Sequence, residues 1–166
     1  LRHQDCDEIT FNPDQDDAAF LAWVAPLCPA DRAAPKAIVK AVGRGMTDSE
    51  IPSVSVTNRS SHKAVEAAIG HPLEMERWRA NIWLDGIDAW DELSWIGKKI
   101  RIGEAELEVR EPIVRCLATA TNPVTGVRDT DTLGALKNTF GHQHFGVYAV
   151  VTKDGHVALG DQAQVL

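Results

Sequence analysis

Short runs of alternating apolar and polar residues recur along this chain, and they predict most of its elements. Pro52-Ser53-Val54-Ser55-Val56 alternates strictly and predicts a strand. Lys99-Ile100-Arg101-Ile102 and Ala105-Glu106-Leu107-Glu108-Val109-Arg110 both alternate. Gly103-Glu104 joins them, with glycine first, as a type II′ hairpin turn requires. Further strands are expected at Glu8–Phe11, Ala37–Val42 and Trp78–Leu84, the last ending at Asp85-Gly86. A closing hairpin is expected from Gly146–Thr152 and His156–Leu159, turning at Lys153-Asp154-Gly155.

Helical spacing is confined to three short stretches. Phe20, Leu21 and Val24 follow a cap at Asp16 or Asp17, and Pro26 closes that element. A second helix starts at Ser60 or Ser61, turns Val65, Ala68 and Ile69 to one side and stops at Gly70. A third covers 131–139, with Leu133 and Leu136 inward. Loops are read at 29–36 and at Gly43–Asp48, and a reverse turn at Asn122-Pro123-Val124-Thr125-Gly126. Many short strands and few short helices indicate a mainly β fold, a barrel or curled antiparallel sheet rather than a doubly wound one. No repeat, low-complexity run or linker divides the chain.

Composition narrows the function classes. The 166 residues are 44% hydrophobic and 25% charged, with a formal net charge of -7. An acidic chain has no general affinity for DNA, RNA or anionic membrane. No apolar run approaches the roughly 20 residues that span a bilayer. The polar opening Leu1-Arg2-His3-Gln4-Asp5 carries no signal-peptide pattern, and a first residue other than Met points to a fragment or processed product. Cys6, Cys28 and Cys116 are odd in number and widely spaced, which fits free thiols in a reducing, cytoplasmic setting.

No phosphate loop, dinucleotide fingerprint, HExxH or GxSxG occurs. Cys116 ends an expected strand; by spacing alone such a thiol is an inert core residue or a soft nucleophile. Arg115 is beside it, but successive strand side chains face opposite ways. Arg77, Arg79 and Asn81 fall on one face if 77–81 is extended, giving either an oxyanion grip or a solvated strand face. His142 and His144 have the spacing of a metal pair but no third ligand nearby. Trp83, Trp90 and Trp95 read as core or rim.

The ordered series Arg77-Trp-Arg-Ala-Asn81, Leu84-Asp-Gly86, Trp95–Gly103, Arg115-Cys-Leu-Ala-Thr-Ala-Thr-Asn-Pro-Val-Thr-Gly126, Phe145–Ala149 and Leu159-Gly-Asp161 resembles the MOSC domain family, in the branch that includes amidoxime-reducing components. Ser53–Gly70 also resembles the stretch before that branch's Arg-Phe-Arg-Pro-Asn motif. Residues 51–166 resemble the MOSC domain, and residues 1–50 the tail of an N-terminal β-barrel region. The resemblance implies a β-barrel of the MOSC or pyruvate-kinase-barrel-like type that binds a molybdenum cofactor of the molybdopterin kind. It implies that Cys116 is the molybdenum ligand or a persulfide carrier. Arg79 and Asn81, helped by Arg77, would hold pterin and phosphate; Thr57 and Ser61 would approach the cofactor; Arg115 and Thr119 to Thr121 would flank the thiol. The implied activity is reduction of N-hydroxylated or N-oxide small molecules, with electrons from a separate protein. A sulfur carrier charged by a sulfur donor and a non-catalytic cofactor-binding domain are the alternatives. Ala80 stands where the family has proline, and Ile113 where it often has a second cysteine. The Lys-Ser pair and arginine of the family's N-terminal segment are not among these residues.

Overall fold

The computed structural model describes residues 1–40, 42 and 50–166, in two compact units, Leu1–Met46 and Thr47–Leu166. The loop expected at 43–48 lies outside the described residues, as does Ala41 of the strand expected at 37–42. In the first unit, α1 (Asp17–Val24) is followed by a 3-10 turn, Ala25–Leu27, that takes in Pro26. Phe11 stacks on Phe20, with ring centroids 5.2 Å apart. The described parts of the two strands expected in this unit, 8–11 and 37–42, are irregular. A strand is stable only in a ladder, and among the described residues neither run has one, Ile9 exchanging backbone hydrogen bonds with Leu1 alone.

The second unit is built on one six-stranded sheet in the order β2-β1-β5-β4-β3-β6. The strands are β1 (Val54–Asn58), β2 (Ile82–Leu84), β3 (Lys99–Ile102), β4 (Ala105–Val114), β5 (His144–Lys153) and β6 (Ala163–Val165). Only β1 and β2 run parallel. The β3–β4 hairpin has the expected register, Lys99 opposite Glu108 and Ile102 opposite Ala105, and Gly103 supplies the positive φ of 56°. A cavity of about 670 Å³ separates Trp83, Leu84 and Gly86, at the end of β2, from Gly160–Ala163, leading into β6. The sheet therefore curls until its two edges face each other, giving the open barrel expected from the strand pattern.

Two apolar clusters flank this sheet. Val56, Ile100, Leu107, Val109, Val147 and Ala149 form one with Trp95. Val65, Leu73, Trp78, Leu136 and Phe145 form the other. The second seats α2 (Arg59–Ile69) and α3 (Thr132–Phe140), each ended by a left-handed glycine, Gly70 and Gly141. Asn58 caps α2 through its side chain, two or three residues before the expected start.

Two expectations for this unit need correction. The run 78–84 is not one strand. Met75–Trp78 is a 3-10 turn, Arg79 is left-handed at φ 50°, and only Ile82–Leu84 joins the sheet. Trp78 decides this: its ring is fully buried, 3.7 Å from the ring of Phe145, and the backbone coils to place it there. The closing hairpin is also absent. Residues 156–159 pass across the β3–β4 turn, where Glu104 donates to the His156 carbonyl at 3.0 Å. The chain then pairs with β3 through β6 instead of returning along β5.

Gly146 marks the tightest point of the sheet. A Cβ there would lie 2.6 Å from Thr57 Cγ2 and 2.7 Å from the Val56 carbonyl, at φ +76°. Gly146→Ala is expected to cost about 2–4 kcal/mol, from overpacking plus left-handed strain, measured by urea denaturation.

Candidate functional site

The site is assembled where the 3-10 turn at Met75–Trp78 meets a second 3-10 turn, Leu117–Ala120, that follows β4. Arg77 joins the two. Its buried guanidinium pairs with Asp129 through Nη1 (2.8 Å) and Nη2 (3.1 Å), with Glu74 through Nε, and with the Ala120 carbonyl at 3.2 Å. Arg77 thus does not lie on an open strand face with Arg79 and Asn81, as spacing had predicted. Its donors are directed at protein acceptors, and it acts as a clamp between turns. A hydrogen bond from its own backbone amide, then Arg77, holds the Glu74 carboxyl below the ordinary range, and Arg77 with Asn122 does the same for Asp129.

Arg115 is the other partly buried cation. It donates to the Phe145 carbonyl from Nε (2.9 Å) and Nη2 (2.7 Å) and to the Trp78 carbonyl from Nη1 (2.7 Å). Its guanidinium lies 5.7 Å from both the Trp78 and Phe145 rings. No carboxylate pairs with it among the described residues. Burial pushes its pKa down to about 10, opposed by Tyr148 and Cys116. It remains a cation at neutral pH, tied down by neutral carbonyls and lacking a counter-ion.

Cys116 is exposed and free, and it opens the Leu117–Ala120 turn in an extended conformation. Its carbonyl accepts from the Thr119 amide at 3.2 Å and the Thr119 hydroxyl at 3.0 Å. Thr119 is buried, 2.6 Å from the Thr132 hydroxyl, so it fixes the turn rather than meeting a ligand. Beyond Cys116, Ala118, Thr121 and Pro123 line a cavity of about 300 Å³ with Glu76, Arg77 and Arg79. Arg79 is exposed and has no ion-pair partner among the described residues. Asn81 accepts from the Ser55 amide and hydroxyl, both at 2.9 Å, which points its Oδ1 inward and leaves Nδ2 to donate outward. Arg115 is thus tied to the carbonyl just before Arg79, Cys116 heads the facing turn, and Asn81 is tied to β1.

Thr57 and Ser61 lie elsewhere. Both are buried, and Thr57 donates to the Ile82 carbonyl at 3.1 Å. Ser61 donates to Glu92 at 2.9 Å and accepts from the Trp90 amide at 2.8 Å. Glu92 also accepts from Asn58 at 2.9 Å, and burial raises its pKa. Neither hydroxyl is free for a cofactor. Spacing gave no sign of Glu92, nor of Ser55, Asp129 and Tyr148, because each acts through a partner more than twenty-five residues away. His142 and His144 gain no third His, Cys, Asp or Glu ligand among the described residues.

Two outcomes follow for this junction. Arg77→Met should destabilise the protein by about 2–3 kcal/mol, less than a fully buried pair because Glu74 and Asp129 keep contact with water. Arg77→Lys should recover only part, since an ammonium does not bridge bidentately. His62, on α2, accepts from Trp78 Nε1 at 3.0 Å and faces the Leu73 carbonyl at 3.2 Å, and its burial lowers its pKa below 6.5 against the pull of Glu66. Below pH 6.5 the unfolded chain takes up a proton that the folded chain refuses, so stability should fall as pH drops from about 7 toward 5. Urea midpoints across that range check this, and His62→Gln should flatten the slope.

Comparison with known proteins adds identity to this geometry. The family model of the MOSC domain matches residues 48–164. A molybdenum cofactor sulfurase of Drosophila pseudoobscura pseudoobscura is 33% identical over 94 residues, 56% of this chain and 12% of the sulfurase. Mitochondrial amidoxime reducing component 2 of Homo sapiens is 32% identical over 101 residues, 54% of this chain and 30% of that protein. This chain thus matches only a small part of the length of these relatives. YiiM from Geobacillus stearothermophilus shares the fold, with a TM-score of 0.51, 19% identity, and coverage of 68% of this chain and 53% of its own. The match extends over most of the chain and all six strands but the last residue of β6, and the protein belongs to the MOSC domain family.

Proposed function

We propose that this chain is a molybdenum-cofactor module in which the Cys116 thiol ligates molybdenum and a small N-hydroxylated or N-oxide substrate is reduced. The reading is carried by one observation: an exposed thiol heads a turn that lines a cavity with the unpaired Arg79, beside an Arg115 lacking a counter-ion. In a chain of net charge -7, cations left uncompensated at one place suit a phosphate-bearing anion. A soft sulfur ligand suits molybdenum in the same way. Of the relatives' names, molybdenum cofactor sulfurase supports the cofactor and amidoxime reducing component supports the reduction.

The residues present fit that group in part. Arg79, Asn81 Nδ2 and the remaining N–H groups of Arg115 would hold its anionic and polar edges, and Cys116 its metal. Arg77, Thr57, Ser61 and Thr119 would only support these. When bound, the cofactor supplies two-electron redox chemistry at molybdenum. The electrons would come from a separate donor protein. Free thiols at all three cysteines fit a reducing compartment such as the cytoplasm, and no described helix is long and apolar enough to cross a membrane.

Metal analysis of the full chain, made in a host that synthesises the cofactor, tests this. Stoichiometric molybdenum and pterin are expected, together with N-oxide reduction when a reductant is supplied. Cys116→Ser should lose both metal and reduction, and Arg79→Ala should cut pterin content about tenfold, the scale of one charge-assisted hydrogen bond. Labile sulfane sulfur on Cys116 without molybdenum would establish the sulfur-carrier reading instead. If Cys116→Ser leaves metal, sulfur and activity unchanged, both readings fail.

A further inference from the structure

A row of half-buried rings follows β5 where it pairs with the end of β4, and has no part in the cofactor reading. Phe140, His142 and His144 follow one another at every second residue where α3 gives way to β5. The His142 and His144 rings are nearly parallel, 13° apart in plane and 5.4 Å between centroids. Phe140 and His142 are within 27° of parallel at 6.3 Å. Trp90 meets this row with its ring 4.7 Å from Phe140 and, edge-on, 5.0 Å from His142. Its backbone is left-handed at φ 69°, one of only two non-glycine residues so placed among the described residues. The Trp90 amide donates to Ser61 at 2.8 Å and its ring packs on the second apolar cluster, and these contacts hold the strained backbone in place.

The register of the sheet sets this row next to the thiol. Val114 pairs with His144 across β4 and β5, and the Arg115 amide then donates to the Gln143 carbonyl at 2.8 Å. Opposed residues share a face and neighbours alternate. Arg115 accordingly turns toward Trp78 and Phe145, and alternation carried on through the extended Cys116 backbone brings its side chain to the side of Val114 and His144. Val114 and Leu117, on either side of the thiol, are 65% and 52% exposed. Aliphatic side chains thus border the site on one strand, and aromatic rings on the other.

We propose that Phe140, His142 and His144, with Trp90 beside them and Val114 opposite, form a platform that binds flat, conjugated small molecules by stacking and presents them to Cys116. Ring faces attract other ring faces, and a saturated ligand of equal size gains little from them. No carboxylate or lysine pairs with either histidine among the described residues, and burial together with the partner His144 lowers the pKa of His142. The row thus presents ring surface with no ion-pair partner among the described residues. That its ligand is the substrate rests on the proposed role of Cys116; that it binds flat molecules does not.

Titration of the full chain with quinoline N-oxide, against saturated N-methylmorpholine N-oxide, tests the platform by nuclear magnetic resonance of the histidine ring protons. Quinoline N-oxide should shift His142 and His144 upfield and leave His3, His62 and His156 unmoved, while the saturated probe shifts none. His144→Ala should weaken binding about three- to tenfold, the scale of one lost ring contact, and His144→Phe should restore it. Unchanged melting temperature in both variants confirms that folding is not the cause. Equal binding of the two probes, shifts mapped to other histidines, absence of binding, or full binding by His144→Ala would overturn the platform. Molybdenum content is read separately. Metal with unmoved histidines refutes the platform alone, and moved histidines without metal refute the cofactor reading alone.

Discussion

Trp78 is the residue on which the site unit depends. Its ring is fully buried against Phe145, its indole N–H donates to His62 on α2, and its carbonyl accepts from Arg115 at the end of β4. One side chain thus ties a helix, the sheet and the 3-10 turn that carries Arg77 and Arg79. Burying an indole of that size is worth several kilocalories, and the backbone around it takes whatever shape that burial requires. The left-handed Arg79 and the short reach of β2 are consequences of this placement.

The elements legible in the sequence were those that local patterns determine. The β3–β4 hairpin, the strand at β1, the helix ending at Gly70 and the short helix over 131–139 all depend on alternation, apolar spacing or turn glycines within a few residues. The elements misread were those settled by distant partners. Alternation made 78–84 look like a strand, but Trp78 answers to Phe145, sixty-seven residues on. Residues 156–159 had a strand pattern too, yet the chain crosses to the far edge of the sheet. The same division holds at the site. Cys116, Arg79 and Asn81 could be picked out from ordered motifs, and each is an exposed residue on the turns around the Trp78 carbonyl or beside β1. Arg77, Thr57, Ser61 and Thr119 belonged to the same motifs but have their polar atoms bound within the protein.

Net charge and local charge separate cleanly here. Most carboxylates are on the surface, and some are tied in ion pairs: Asp85 to Arg59, Glu106 to Arg101 and Lys153, Asp129 and Glu74 to Arg77. Arg115 is anchored instead by carbonyl oxygens, which fix its position and leave its charge whole. A guanidinium held this way is already desolvated, so an arriving anion meets a cation stripped of most of its water. The surrounding acidity then works as a filter, weakening loose anion binding elsewhere on the surface.

The curled sheet leaves two edges, and β2 and β6 at those edges are three residues each. A strand so short offers another chain about one or two open amide–carbonyl positions. Fibril growth by edge-to-edge pairing needs a longer register than that. The incomplete barrel thus keeps the gap between its edges without giving copies of the protein a template on which to polymerise.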